Sequence, residues 1–179
     1  MPKDFASLFA QDVIYYNLDD CVEEDGMKNR ICINSPLGAL ILEEKDGCIT
    51  RLKFGLCPEK GEKTPVLCEA VRQLEAYFRG TLREFDLPLA PEGTEFQLAV
   101  WQALREIPYG QTRSYKEIAA SIGREKACRA VGMANNRNPI SIIVPCHRVI
   151  GADGSLVGYG GGLEVKKYLL RLEGVRIPE

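Results

Sequence analysis

A chain of 179 residues, 45% hydrophobic and 27% charged, can bury a substantial core and is long enough for two small domains, which is the expected organisation. Its formal net charge is −2, no apolar run approaches the roughly 18 residues of a membrane span, and Met1–Phe5 opens no signal-peptide core, so a membrane or secreted protein is not expected. The seven cysteines, at 21, 32, 48, 57, 68, 128 and 146, are odd in number and form no C-x-x-C pair, which argues against a disulfide framework or zinc ribbon and for reduced thiols in a cytosolic setting.

The first half reads as α/β. Gly38–Glu43 and Cys48–Phe54 flank the polar turn Glu44-Lys45-Asp46-Gly47 and predict a β-hairpin. Val66, Ala70, Val71, Leu74 and Tyr77/Phe78 then recur at helical spacing between Pro65 and Gly80. Leu87-Pro88-Leu89-Ala90-Pro91 marks a linker, which places one domain over residues 1–90 and another over 91–179.

Beyond the linker, Thr94-Glu95-Phe96-Gln97 has capping-box spacing and opens a helix with Phe96, Val100, Trp101 and Leu104 on its apolar face, ended by Ile107-Pro108-Tyr109-Gly110. A second box, Ser114-Tyr115-Lys116-Glu117, opens a short helix closed by Gly123. A third helix from about Glu125 is rich in small residues. Two short helices about a glycine turn, the second small and basic, read as a helix-turn-helix, although other helical hairpins share that pattern. Ile140–Val144 is β-branched and predicts a short buried strand ending at Pro145. After the glycine-rich Gly158-Tyr159-Gly160-Gly161-Gly162, a last helix runs from Leu163 through Leu172 and closes at Glu173-Gly174.

Charge divides along this order. Arg105–Arg148 holds eight basic and three acidic residues, a net +5, whereas the first 104 residues hold eleven basic and eighteen acidic, a net −7. The helical pair is thus polarised toward a polyanion, although an ordinary solvated helical face would carry similar charge.

The chemistry gathers at Pro145-Cys146-His147-Arg148, where the chain's one histidine follows a cysteine. A thiol attacks as thiolate, and imidazole is suited to take its proton near neutral pH. On extended backbone neighbouring side chains point apart, so either the chain turns at Pro145 or a water bridges sulfur and ring. A third group must orient the imidazole, and spacing alone names none. A buried structural thiol, or a cysteine hydrolase acting on acyl substrates, are alternatives; a hydrolase would leave the basic helix pair unexplained.

Val131-Gly132-Met133-Ala134-Asn135, Asn138-Pro139, Ile143-Val144-Pro145-Cys146-His147-Arg148-Val149-Ile150, Gly158-Tyr159, Leu169-Leu170 and Glu173-Gly174 together resemble the methylated-DNA–protein-cysteine methyltransferases. The resemblance extends upstream through Phe96, Val100-Trp101, Ile107-Pro108-Tyr109-Gly110 and Ser114-Tyr115, and is loose in the N-terminal half. It implies a two-domain α/β fold: an N-terminal α/β domain with a small antiparallel sheet, ribonuclease H-like, and a mostly helical C-terminal domain with a winged-helix-like helix-turn-helix.

It also implies irreversible, stoichiometric transfer of an alkyl group from O6-alkylguanine, with O4-alkylthymine as a second substrate, to the protein itself. Carried over, Cys146 is the acceptor, His147 removes its proton through a water, and Glu173 orients His147. Arg129 is the finger that enters the base stack, Tyr115 helps rotate the nucleotide, and Asn138 braces the turn between the recognition helix and the active-site strand. Val149, Tyr159 and Gly160 line the guanine pocket, with Lys166 near it.

Physical reasoning agrees with this assignment. A base stacked in a duplex must be flipped to be reached, and the small Ala130 and Gly132 permit close approach of a helix to the minor groove. The implied partner is double-stranded DNA carrying alkylated bases, bound by a monomer with cooperativity on DNA left open. No cofactor, metal or membrane is implied, and the location is the cytoplasm, or the nucleus in a eukaryote. A non-catalytic binder of alkylated lesions is the alternative, although Cys146 is retained. Gly160 stands where some relatives carry serine, which leaves the range of alkyl groups open.

Overall fold

The computed structural model of the chain describes residues 29–56 and 61–177. The N-terminus on which the leader-free expectation rests lies outside the described residues, as do Cys21 and Cys57. No described helix is long and apolar enough to cross a membrane.

Three strands, β1 (Arg30–Ser35), β2 (Gly38–Lys45) and β3 (Cys48–Phe54), form an antiparallel sheet in the order β1-β2-β3. The predicted hairpin is present but tighter than expected. Lys45 pairs with Cys48 and the turn is Asp46-Gly47, both at positive φ (53° and 76°), the geometry whose twist matches flanking strands. β1 was not anticipated, because its half-buried Arg30-Ile31-Cys32-Ile33-Asn34-Ser35 has too short an alternation to stand out.

Helix α1 (Pro65–Phe78) starts with Thr64 accepting from the Leu67 amide and lays Leu67, Ala70, Val71, Leu74, Tyr77 and Phe78 into the core. The expectation that the cysteines are reduced thiols is corrected in one place: Cys32 is disulfide-bonded, whereas Cys48, Cys68, Cys128 and Cys146 are free. An odd count without C-x-x-C spacing excludes a fully paired framework but not a single bridge.

In the second half, α2 (Glu95–Arg105) and α3 (Tyr115–Ser121) both begin with complete capping boxes, at Thr94/Gln97 and Ser114/Glu117, each worth about 1 kcal/mol. The third helix begins later than predicted, as α4 (Cys128–Asn136), because Arg124–Ala127 form a turn first. The Trp101 indole N–H donates to the Ala134 carbonyl at 2.9 Å and ties α2 to α4. A two-residue strand β4 (Arg113–Ser114) pairs in parallel with β5 (Val149–Ile150), and α5 (Leu163–Leu172) closes the chain.

The strand expected over Ile140–Val144 is not formed. Ile140 bridges Leu52 of β3, then Ile142 turns the backbone at φ 71° and Ser141 bridges Val144. A β-branched residue in the left-handed region is strained. Ile142 is held there by full burial and by the tertiary bonds around it. Apolar runs of five cannot by themselves distinguish a buried strand from a buried turn.

The two halves share one buried cluster running from Leu40, Leu42 and Leu74 to Val100, Leu104, Val131 and Leu169. Backbone bonds cross between them as well: Leu52 N–H donates to Pro139 O at 2.9 Å and Ser141 N–H to Leu52 O at 3.0 Å. The N-terminal sheet is therefore hydrogen-bonded to the segment that carries Cys146.

Candidate active site

The site is built by one asparagine and one proline. Asn138 follows the end of α4, and its amide Nδ2 donates to Val144 O at 2.8 Å and to Cys146 Sγ at 3.1 Å, while its Oδ1 accepts from Ile140 N–H at 3.0 Å. One buried side chain thus closes the 138–146 turn and touches the sulfur. Pro145, at ψ 62°, then sends the chain into a single 3-10 turn, Cys146-His147-Arg148. Of the two arrangements open from the sequence, the chain thus adopts the turn at Pro145, so the two side chains need not point apart.

Cys146 is 3% exposed. Burial pushes its thiol up to about 11, against the opposing pull of the Asn138 amide and the Lys166 charge. At neutral pH the sulfur is therefore a neutral thiol that needs a base. His147 is fully buried, and desolvation lowers its pKa below the usual imidazole value despite the nearby Glu173 carboxylate. Its Nε2 lies 2.8 Å from Glu173 Oε1. A carboxylate only accepts, so Nε2 carries the proton and Nδ1 presents a lone pair. That Nδ1 is buried and has no protein partner.

Glu173 caps α5 and receives donors from four residues on three segments. Oε1 accepts from His147 Nε2, from the Tyr77 hydroxyl at 2.7 Å and from Arg148 Nη2 at 3.0 Å; Oε2 accepts from Arg148 Nε at 2.9 Å and Gly110 N–H at 3.2 Å. Burial alone would raise this carboxyl, but the hydrogen bonds and charges of His147 and Arg148 outweigh it and hold it at about 2. Gly110 approaches at φ 75°, and a Cβ there would lie 2.9 Å from the Glu173 carbonyl oxygen, so the turn after α2 requires glycine. Arg148 is itself anchored by Ile107 O at 2.6 Å and lies over the Tyr109 ring.

Around the sulfur, the Tyr159 hydroxyl is buried without a hydrogen bond of normal geometry, and its ionisation is disfavoured first by burial and then by Cys146. Phe54 of β3 meets Tyr159 edge-on at 6.5 Å and crowds Gly161, where a Cβ would come within 2.9 Å of both rings. Lys166 is 0% exposed. Its Nζ donates to Val149 O at 2.5 Å and Val157 O at 2.9 Å, and burial brings its pKa down to about 8. Lys166 therefore ties β5 to the 157–162 loop. Tyr115 donates to Val157 O at 3.0 Å, across from the same loop. Gly160 packs near Asn136, and Gly132 of α4 lies against the Tyr115 ring.

Arg129 and Ala130 lie on the exposed first turn of α4, apart from the buried relay. The structure thus brings Cys146, His147, Glu173, Asn138, Val149, Tyr159 and Lys166 together, and sets Arg129, Ala130 and Tyr115 at the surface or the rim. Sequence reasoning missed Tyr77, Gly110 and Phe54 as site residues and gave Arg148 no role. In the sequence Tyr77 belongs to the apolar face of α1, and no local signal links it to Glu173, 96 residues away.

Both halves of the chain are similar to known proteins. Residues 95–175 match the family described as 6-O-methylguanine DNA methyltransferase, DNA binding domain, and residues 16–91 match its ribonuclease-like domain. A methylated-DNA–protein-cysteine methyltransferase of Methanosarcina acetivorans is 71% identical over 147 residues, covering 78% of this chain and 94% of the relative. The protein of the same name from Methanosarcina barkeri is 56% identical over 149 residues, covering 79% and 94%. A Mycobacterium tuberculosis relative whose crystal structure is in complex with DNA superposes with a TM-score of 0.73 at 53% identity, covering 82% of this chain and 93% of that one. The relay around Cys146 and these matches across both halves lead to one conclusion: the chain belongs to the methylated-DNA–protein-cysteine methyltransferase family.

Proposed function

We propose that this protein repairs DNA by moving the alkyl group of O6-alkylguanine, and of O4-alkylthymine, onto Cys146, once per molecule. The observation that carries the reading is the bare, buried Nδ1 of His147, on a ring whose other nitrogen is held by an ionised Glu173. A thiol near pKa 11 is ionised in only about one molecule in ten thousand at pH 7, so a fixed base is needed.

The Cys146 proton passes to His147 Nδ1, through a bridging water, and Glu173 stabilises the imidazolium. A bond forms between Sγ and the alkyl carbon while the carbon–O6 bond breaks, its electron pair staying on the base. The proton taken from the thiol ends on the released guanine. The product is a thioether with no easy hydrolytic exit, which separates this chemistry from that of a cysteine hydrolase.

The target base must leave the stack to reach a sulfur that is 3% exposed. We assign Arg129 to the gap it leaves and Ala130 and Gly132 to close approach at the minor groove, with α3 and α4 as the helix-turn-helix and the β4–β5 pair as a minimal wing. Tyr115 stands at the pocket rim where it can turn the nucleotide. Val149, Tyr159 and Gly160 form the pocket walls, and Lys166 and Asn138 hold those walls in place. Residues 1–90 and 91–179 form the two domains. A protein whose acceptor must stay reduced belongs in the cytoplasm, or the nucleus in a eukaryote.

The test is the mass of the intact protein after incubation with a duplex carrying one O6-methylguanine, followed by peptide mapping. One added methylene per molecule, on Cys146, is expected. Tight binding without a mass change would instead identify a lesion binder. Arg129→Ala is expected to slow repair in duplex at least about tenfold while leaving attack on the free modified base within about twofold, since only the duplex requires extrusion. Equal losses on both substrates would place Arg129 elsewhere.

A further inference from the structure

Tyr77 belongs to α1, in the N-terminal half, yet its hydroxyl donates to the same Glu173 oxygen that holds His147. Its ring is fully buried and packs on Phe78, Phe85 and Tyr109 at centroid distances of 5.6, 5.3 and 6.2 Å. Phenylalanine would fill that space equally well, as Phe78 does beside it. The hydroxyl is the part that packing does not explain.

We propose that Tyr77 is a positioning residue of the alkyl-transfer site, fixing the Glu173 carboxylate and setting how tightly it holds the imidazolium proton of His147. The inference rests on the alkyl-transfer reading and extends it across the domain boundary.

The charged and titratable groups facing Glu173 are Tyr77 from α1, Tyr109 from the turn after α2 with Arg83 over its ring, and His147 and Arg148 from the 3-10 turn; the Lys166 charge on α5 also acts on His147. Among the described residues, Tyr77 is the neutral hydroxyl that donates to the carboxylate. A donor on a carboxylate stabilises its charge and weakens it as a partner for a neighbouring cation. Without the Tyr77 hydroxyl, Glu173 keeps more charge on Oε1 and His147 holds its proton more firmly. The base form of His147 is then lost at a higher pH.

The experiment uses the full chain with Tyr77→Phe and reads two quantities: the imidazole NMR titration of His147, free of overlap because the chain has one histidine, and the pH profile of single-turnover alkyl transfer. The titration and the acid limb of the profile are both expected to rise by about half a unit or more, slowing transfer about threefold below that limb and little above it. An unshifted titration with a loss of rate uniform in pH would reduce Tyr77 to a packing residue and overturn the proposal. Should Tyr77→Phe fail to fold, 3-fluorotyrosine placed at position 77 keeps the packing and strengthens the donor. It is expected to move His147 downward, and no movement would again overturn the proposal. If the unaltered chain places no alkyl group on Cys146, the functional reading fails, while the His147 titration still decides whether Tyr77 acts through Glu173.

Discussion

Cys146→Ser is expected to abolish alkyl transfer while leaving the fold and the binding of alkylated duplex intact. Serine is close in shape, and the Asn138 amide that now points at Sγ can donate to a hydroxyl oxygen as well. What disappears is the nucleophile. An alcohol is far less acidic than a thiol and a far poorer nucleophile toward a saturated carbon, so His147 has no proton there that it can readily take. A loss of at least about ten-thousand-fold is expected, leaving transfer below detection. Intact mass and gel retardation on the same samples check it: no methylene gain with retained retardation. Transfer at near the original rate would show that another residue accepts the alkyl group.

Glu173→Gln carries the second large effect, and it strikes stability and chemistry together. Five donors converge on the carboxylate, and Gln offers one accepting oxygen and an amide that would face donors. Arg148 would keep its buried charge with one carbonyl, Ile107 O, as its remaining strong partner. Removing one member of such a buried pair costs about 3–5 kcal/mol. Alkyl transfer is expected to fall by about a hundredfold to ten-thousandfold, because the imidazole loses both its fixed tautomer and the charge that stabilises its protonated form.

The pH dependence has a definite sign. Glu173 is held at about 2, below its ordinary 4.5, so the native state favours the ionised form and its stabilisation is fully present above about 4.5. It is lost as pH falls toward 2. Denaturant midpoints measured between pH 7 and pH 3 should therefore show a gap between the two proteins that is constant at the upper end and narrows toward the lower. A gap that widens with acid would mean that Glu173 is not the ionised partner of Arg148 and His147.

These expectations also show which parts of the molecule were legible beforehand. The hairpin, α1, both capping boxes and the last helix could be read because each is decided by neighbours within a few residues: an Asp-Gly turn, a Thr or Ser three residues before Gln or Glu, an apolar stripe at helical period. The Ile140–Val144 segment was misread because its conformation is decided by distant groups. Leu52 and Asn138 hold it in a turn that its β-branched residues would not choose. β1 was missed because pairing with β2, not its own sequence, makes it a strand.

That Cys146 and His147 are neighbours, that a basic helix pair precedes them and which family they resemble can be read from the chain, since adjacency, charge and motif order are its own properties. What those residues become depends on the fold. Burial of the thiol at 3% exposure makes it a neutral acid in need of a base. Folding brings Tyr77, Gly110, Arg148 and Glu173 within hydrogen-bonding range, and that convergence leaves the His147 Nδ1 as the free lone pair. Proton affinity depends on desolvation and on charges a few ångströms away, and no spacing along a chain specifies those distances.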